Sequence, residues 1–135
     1  MDTNHANRKI YFDHEKLRVY QESLKFVSWT HDLMQKINKK YSVVGQLDRA
    51  STSIPLNIAE GNGKFGGLDR CRFFDIARGS ALESASCLDV LEVKHLVAST
   101  EIEPGKEMLH AIVSMLVGLI KSNSDRVHEE SGKYE

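Results

Sequence analysis

The sequence predicts an all-α fold in which four helices pack as one bundle. Three observations predict it. Apolar residues recur at alternating intervals of three and four along most of the chain, the period of helices rather than strands. Only two prolines interrupt the 135 residues. Glycines 61, 63, 66 and 67 gather between two long periodic runs and read as the turn of a helical hairpin.

Length and composition describe a single domain that buries its core without disulfides or metal. At 41% apolar and 27% charged, it has an ordinary globular composition. The opening stretch MDTNHANRKIYFDHE has no apolar centre and does not read as a signal peptide. No apolar run is long enough to span a membrane. Cys71 and Cys87 fall more than four turns apart on one predicted helix and cannot pair within a chain. Two free thiols suit a reducing compartment, so the expected location is cytoplasmic. A net charge of −1 exerts no global pull on nucleic acid. Residues 1–42 carry eight Lys/Arg against five Asp/Glu, residues 43–86 five of each, and residues 87–135 five against nine.

Residues 1–13 lack periodicity and read as a flexible N-terminal arm; 14–124 form the bundle, and 125–135 a frayed C-terminal tail. The first helix is expected to begin near Asp13–Glu15, whose charges favour an N-terminus, and to end near Lys39–Lys40. Leu17, Tyr20, Leu24, Val27, His31 and Met34 form one seam along it. A second stripe, Phe26, Trp29, Leu33 and Ile37, lies on roughly the opposite side. With the first seam turned to the core, the second is left outward, and an exposed strip containing Trp and Phe marks a self-association surface.

The second helix spans about Val43–Glu60, with Val44, Leu47, Ala50, Ile54 and Ile58 inward. Pro55 removes the donor that the Ser51 carbonyl would use and predicts a kink, or else a break with a new short helix beginning at Pro55. The glycine loop has neither a Walker pattern nor GxGxxG after a strand, so it reads as a cap and turn rather than a phosphate cradle. The third helix is expected from Leu68 to Leu96 or Val97, with Phe73, Ile76, Ala77, Ser80, Cys87 and Leu91 on its inner face. Beside them runs a strip of small and polar residues, Arg72, Gly79, Glu83, Ser86 and Val90, that lets another helix approach; Gly79 and Ser86 join the candidate interface. Thr100 to Glu103 has the form of a capping box for a fourth helix that ends near Ser124. Met108, Ile112, Met115, Leu116 and Leu119 face inward on it.

Gln46, Leu47, Arg49 and Ala50, then Ser53-Ile54 and Asn57-Ile58-Ala59-Glu60-Gly61, precede the loop. Asp69, Arg72-Phe73, Ile76-Ala77, Gly79-Ser80 and Glu83 follow it. This series resembles the 23S rRNA intervening-sequence proteins, a bacterial four-helix-bundle family whose relatives include accessory proteins of diversity-generating retroelements. With weaker echoes at Leu17–Tyr20 and Met115–Ile120, the likeness covers residues 15–122. It implies an up-down-up-down bundle assembled into a homo-oligomeric ring, usually a pentamer, with no established enzymatic activity. The retroelement relatives are positively charged barrels that bind a reverse transcriptase and nucleic acid, so RNA, DNA or such an enzyme is the alternative partner. The near-neutral charge here departs from that pattern, as does Gly66-Gly67, where relatives tend to place a Ser or Thr cap.

The chemistry-bearing candidates are few. Glu92-x-x-His95 and Glu107-x-x-His110 have the spacing of di-metal carboxylate bundles. Their helical phase sets them off the inner faces, so no metal, cofactor or catalytic residue is expected. Asn57, Glu60, Arg72 and Glu83 form a candidate polar network where the second and third helices meet, read as fixing their register. Lys36, Lys39, Lys40, Lys64, Arg70 and Arg78 are the candidates for a nucleic-acid patch.

Overall fold

The computed structural model describes residues 8–132, with side chains described through residue 124. Four α helices lie among them and no strand. A 3-10 turn (Asp13–Lys16) precedes α1 (Arg18–Met34), α2 (Ser42–Asn62), α3 (Gly67–Val93) and α4 (Ser99–Gly132). Helices α1 and α3 each pack on both α2 and α4, while the diagonal pairs make no close backbone approach. This closed cycle surrounds one core, with Phe26, Leu47, Ile54, Phe74, Leu88 and Ile112 fully buried. The α2–α3 and α3–α4 interfaces are the most extensive, and α1 closes the square through thinner ones.

Local chemistry accounts for the helix ends. Before α1, the Glu15 carboxylate accepts hydrogen bonds from the backbone N–H groups of Tyr11 (3.1 Å) and Phe12 (2.6 Å). The Phe12 bond leads the causes that hold the Glu15 pKa below the usual glutamate value. The chain is extended at Leu17, so α1 proper starts later than the acidic pair suggests. It also stops earlier, at Met34 rather than Lys39–Lys40. The N–H groups of Lys36 and Ile37 bond the carbonyls three residues back, tightening the last turn. The Asn38 side chain then accepts from the Lys40 N–H at 2.9 Å and turns the chain.

Helix α2 continues through Pro55 without the alternative break. Its predicted inner face, Val44, Leu47, Ala50, Ile54 and Ile58, is buried throughout. Near its end, a Cβ on Gly61 would lie 2.9 Å from the Phe74 ring and 3.0 Å from the Phe73 Cβ. The missing side chain is what lets α2 and α3 close at the hairpin.

Helix α3 ends in a Schellman motif. The N–H of Leu96 bonds the Leu91 carbonyl and that of His95 the Glu92 carbonyl, each at 2.9 Å. His95 occupies the left-handed position, with φ 59°. At the start of α4 the Glu101 carboxylate accepts from the Ala98 N–H at 2.8 Å. Half of a capping box thus forms two residues ahead of the expected Thr100–Glu103. A Cβ on Gly105 would collide with the Trp29 indole, so this glycine is where α4 meets α1. The α4 backbone continues past Ser124 to Gly132. Residues 1–7 of the expected arm and 133–135 of the expected tail lie outside the described residues.

Candidate functional site

The polar chemistry between α2 and α3 differs from the expected quartet. Asn57 donates to both the carbonyl and the hydroxyl of Ser53, each at 2.9 Å. Ser80 Oγ donates to Ser53 Oγ at 2.9 Å, and Ser84 Oγ to the Ser80 carbonyl at 2.9 Å. The interhelical link is therefore Asn57–Ser53–Ser80. Glu60, Arg72 and Glu83 are exposed and do not join it. Arg72 instead lies 4.9 Å over the Phe73 ring, with Asp69 at 3.8 Å. A residue one step further round the helix points at solvent, and serines spaced for the inner flank take the register-setting place. Ser80 was legible as an inner-face residue, but nothing in its spacing singles out Ser53 as its partner.

A second polar cluster was not foreseen. Arg70 donates through Nε to Asn123 Oδ1 (2.9 Å), through Nη1 to the carbonyls of Asn62 (2.6 Å) and Lys64 (3.2 Å), and through Nη2 to Asn62 Oδ1 (3.3 Å). Asn123 in turn donates to the Leu119 carbonyl (2.7 Å), and Asn62 to Asp13 Oδ2 (3.1 Å). One guanidinium thus ties the C-terminal end of α2, the glycine loop and α4 together, where its charge also complements the α2 dipole.

The expected cationic patch is accordingly not one patch. Arg70 is committed inside the fold, and Arg78 bonds Asp75 at 3.0 Å. Lys64 lies 5.0 Å over Phe73 at the α2–α3 loop. Lys36, Lys39 and Lys40 are exposed around the α1–α2 turn. The length of α2, about 30 Å at 1.5 Å per residue, separates the two groups.

The inner seam of α1 is centred on the stripe expected to face outward. Phe26, Leu33 and Ile37 are buried in the chain's own core, and Trp29 packs on Gly105. Val19, Ser23, Phe26, Thr30, Leu33 and Ile37 form the inner seam. Its two hydroxyls are satisfied within the helix, Ser23 by the Tyr20 carbonyl (2.7 Å) and Thr30 by that of Val27 (2.9 Å). Self-satisfied hydroxyls are cheap to bury, so polar letters did not bar this seam from the core. Of the seam expected to face the core, Met34 is buried, Leu17, Tyr20, Leu24 and Val27 are half-buried, and His31 is exposed.

Helix α3 carries the outward surface instead. Arg72, Ile76, Gly79, Glu83, Ser86 and Val90 are all exposed, at the four-three spacing of a seam, opposite the buried Ala77, Ala81, Ser84 and Leu88. Ile76 is 44% exposed, neighbouring Leu82 47%, and Val93 at the end 76%. Nothing lies within 4 Å of where a Cβ on Gly79 would stand. Phe73 and Ile76, expected inward, give way to Phe74 and Leu88.

The Glu-x-x-His pairs do not converge. His95 is a helix cap, Glu107 and His110 are exposed, and no group of three or more His, Cys, Asp and Glu gathers among the described residues. Cys87 is buried, and burial, with Glu83 nearby, raises its pKa and keeps it a thiol. Cys71 is half-buried, its sulfur 3.4 Å from the Ile120 carbonyl.

A family model described as 23S rRNA-intervening sequence protein matches residues 15–118. Among solved structures, a protein of unknown function from the S23 ribosomal protein family of Bacteroides thetaiotaomicron VPI-5482 aligns with a TM-score of 0.71. That alignment covers 76% of this chain and 98% of the other at 24% identity, a likeness of fold. No curated protein matches the chain.

Proposed function

The chain belongs to the 23S rRNA-intervening sequence protein family, and from that premise we propose that it is a non-catalytic, homo-oligomeric structural and interaction module. The outer strip of α3 carries this reading. It places Ile76, Leu82, Val90 and Val93 on the surface around a glycine that no internal contact requires. Apolar surface of this kind is normally covered by a partner. A second copy is the partner that the family likeness favours, in a ring with five copies as the leading number. The reading keeps a bend in α2 at Pro55, where the missing N–H leaves the Ser51 carbonyl without its helical donor. It also places the protein in the cytoplasm, consistent with two unpaired cysteines. Light scattering at micromolar concentration tests the assembly: a mass of several chains is expected, and a monomer refutes it.

A second reading, an accessory factor that binds RNA, DNA or a reverse transcriptase, rests on Lys36, Lys39 and Lys40 gathered at one turn. In a ring, repeated copies of this small cluster would act together. A titration with single-stranded RNA at rising salt tests it. Binding that weakens steeply with salt is the expected result, and no association at low salt removes the reading.

A further inference from the structure

Asn62 is the last residue of α2, and Gly63 caps the helix. Of the six asparagines in the sequence, Asn62 is the one followed by glycine. That pair carries an intrinsic reactivity. The backbone nitrogen after an asparagine can attack the side-chain Cγ, which makes asparagine one of the thermolabile residues. Glycine, with no side chain and the widest backbone freedom, obstructs this attack least. The other asparagines precede His5, Arg8, Lys39, Ile58 and Ser124, whose side chains crowd the nitrogen.

The fold holds the two reacting groups away from each other. The Gly63 N–H bonds the carbonyls of Ala59 (3.1 Å) and Glu60 (3.2 Å). The Asn62 amide is held at both ends: Oδ1 accepts from Arg70 Nη2 at 3.3 Å, and Nδ2 donates to Asp13 Oδ2 at 3.1 Å. The Asn62 carbonyl accepts from Arg70 Nη1 at 2.6 Å, so one guanidinium fixes the main chain and the side chain of the same residue. Attack at Cγ therefore requires the end of α2 to open, and helix ends are where a fold opens at least cost. Gly63 is exposed, so water reaches the step.

We propose that Asn62 is a self-modification site gated by the Arg70 cluster, and that its conversion releases the Asp13–Lys16 turn from α2. The Gly63 nitrogen bonds Cγ, the Cγ–Nδ2 bond breaks, and the Gly63 proton departs with the amide nitrogen as ammonia. Water then opens the succinimide to aspartate or isoaspartate. Either product lacks the Nδ2 donor and carries a new carboxylate. Arg70 attracts the new charge. Asp13 loses its donor, and in the aspartate product two carboxylates face each other across the former 3.1 Å contact, where like charges repel. The Asp13 side chain is 77% exposed, so the turn moves off while Arg70 stays in place.

Full-length protein is incubated at mildly alkaline pH with and without denaturing urea, and peptide mapping by mass spectrometry reads the amide-to-acid conversion at each asparagine. In urea Asn62 is expected to convert first, more than about tenfold faster than in the native protein, because opening no longer limits it. Native Arg70→Met should also convert faster than the native wild type. Gly63→Ala should suppress the conversion; a Cβ there meets only the Ala59 and Glu60 carbonyls at 3.6 Å, so α2 keeps its end. Asn62→Asp stands for the converted chain. Its amide exchange should rise at Glu15 and Leu17, whose N–H groups bond within the turn, while its circular dichroism stays native. Another asparagine converting first in urea refutes the site, and equal rates in native protein and urea refute the gate. Unchanged exchange at Glu15 and Leu17 in Asn62→Asp overturns the release.

Discussion

Gly61 and Gly79 ask opposite things of an alanine. At Gly61 the added carbon meets the rings of α3, and overpacking of this kind costs about 1–3 kcal/mol. At Gly79 it meets nothing, and exchanging glycine for alanine in an open helix interior gains about 0.5–1 kcal/mol. Urea denaturation of dilute protein should move the midpoint down for Gly61→Ala and up for Gly79→Ala. His95 is a third residue with a clear expectation. It is the described non-glycine residue at positive φ, a conformation that costs an L-residue about 1–2 kcal/mol. His95→Gly should therefore stabilise the fold by about 0.5–1 kcal/mol after the added freedom of the unfolded chain is counted, raising the midpoint with an unchanged slope. Glu15 supplies a pH dependence. Its folded pKa is lowered, so its hold on the Tyr11 and Phe12 amides is present above the unfolded pKa and fades as pH falls through the folded value. The amide shifts of these two residues should follow that acid titration, and in Glu15→Gln they should not.

Among the elements, the α2–α3 hairpin was the most legible and α1 the least. The inner face of α2 could be read from spacing because its buried positions are uniformly apolar. On α1 two stripes competed, and the richer stripe in large aromatic side chains is the buried one. Ser23 and Thr30 hid the true seam: a hydroxyl bonded to its own helix looks polar in the sequence but behaves as a small buried group. The Arg70 cluster was illegible for another reason. Asn62 and Asn123 carry no periodic signal, and their meeting depends on α4 passing the glycine loop. Arg70→Met keeps much of the apolar stem and removes every donor. Losing these bonds to the Asn62 and Lys64 carbonyls and to Asn123 should cost about 1–3 kcal/mol. Thermal denaturation reads the loss, and hydrogen exchange should show its largest increase near the α2–α3 loop.

The molecule as a whole is held unevenly. Helices α2, α3 and α4 share broad interfaces, whereas α1 is attached by narrower ones. Native-state hydrogen exchange should therefore find α1 opening at a lower free energy than the three-helix remainder; uniform protection across all four helices would contradict this. The residues expected at a self-association surface divide at this scale. Gly79 and Ser86 stand outward as expected, while the α1 stripe assigned beside them is consumed by the core. The closure of the four-helix cycle has a further consequence during synthesis. Helix α1 must wait for α4, the last of these four helices to be made, because α4 forms one of its two flanks. Until that segment leaves the ribosome, Trp29 lacks the Gly105 surface on which it packs. During that interval the nascent α1 presents an incompletely covered apolar face, the kind of transient surface that favours aggregation.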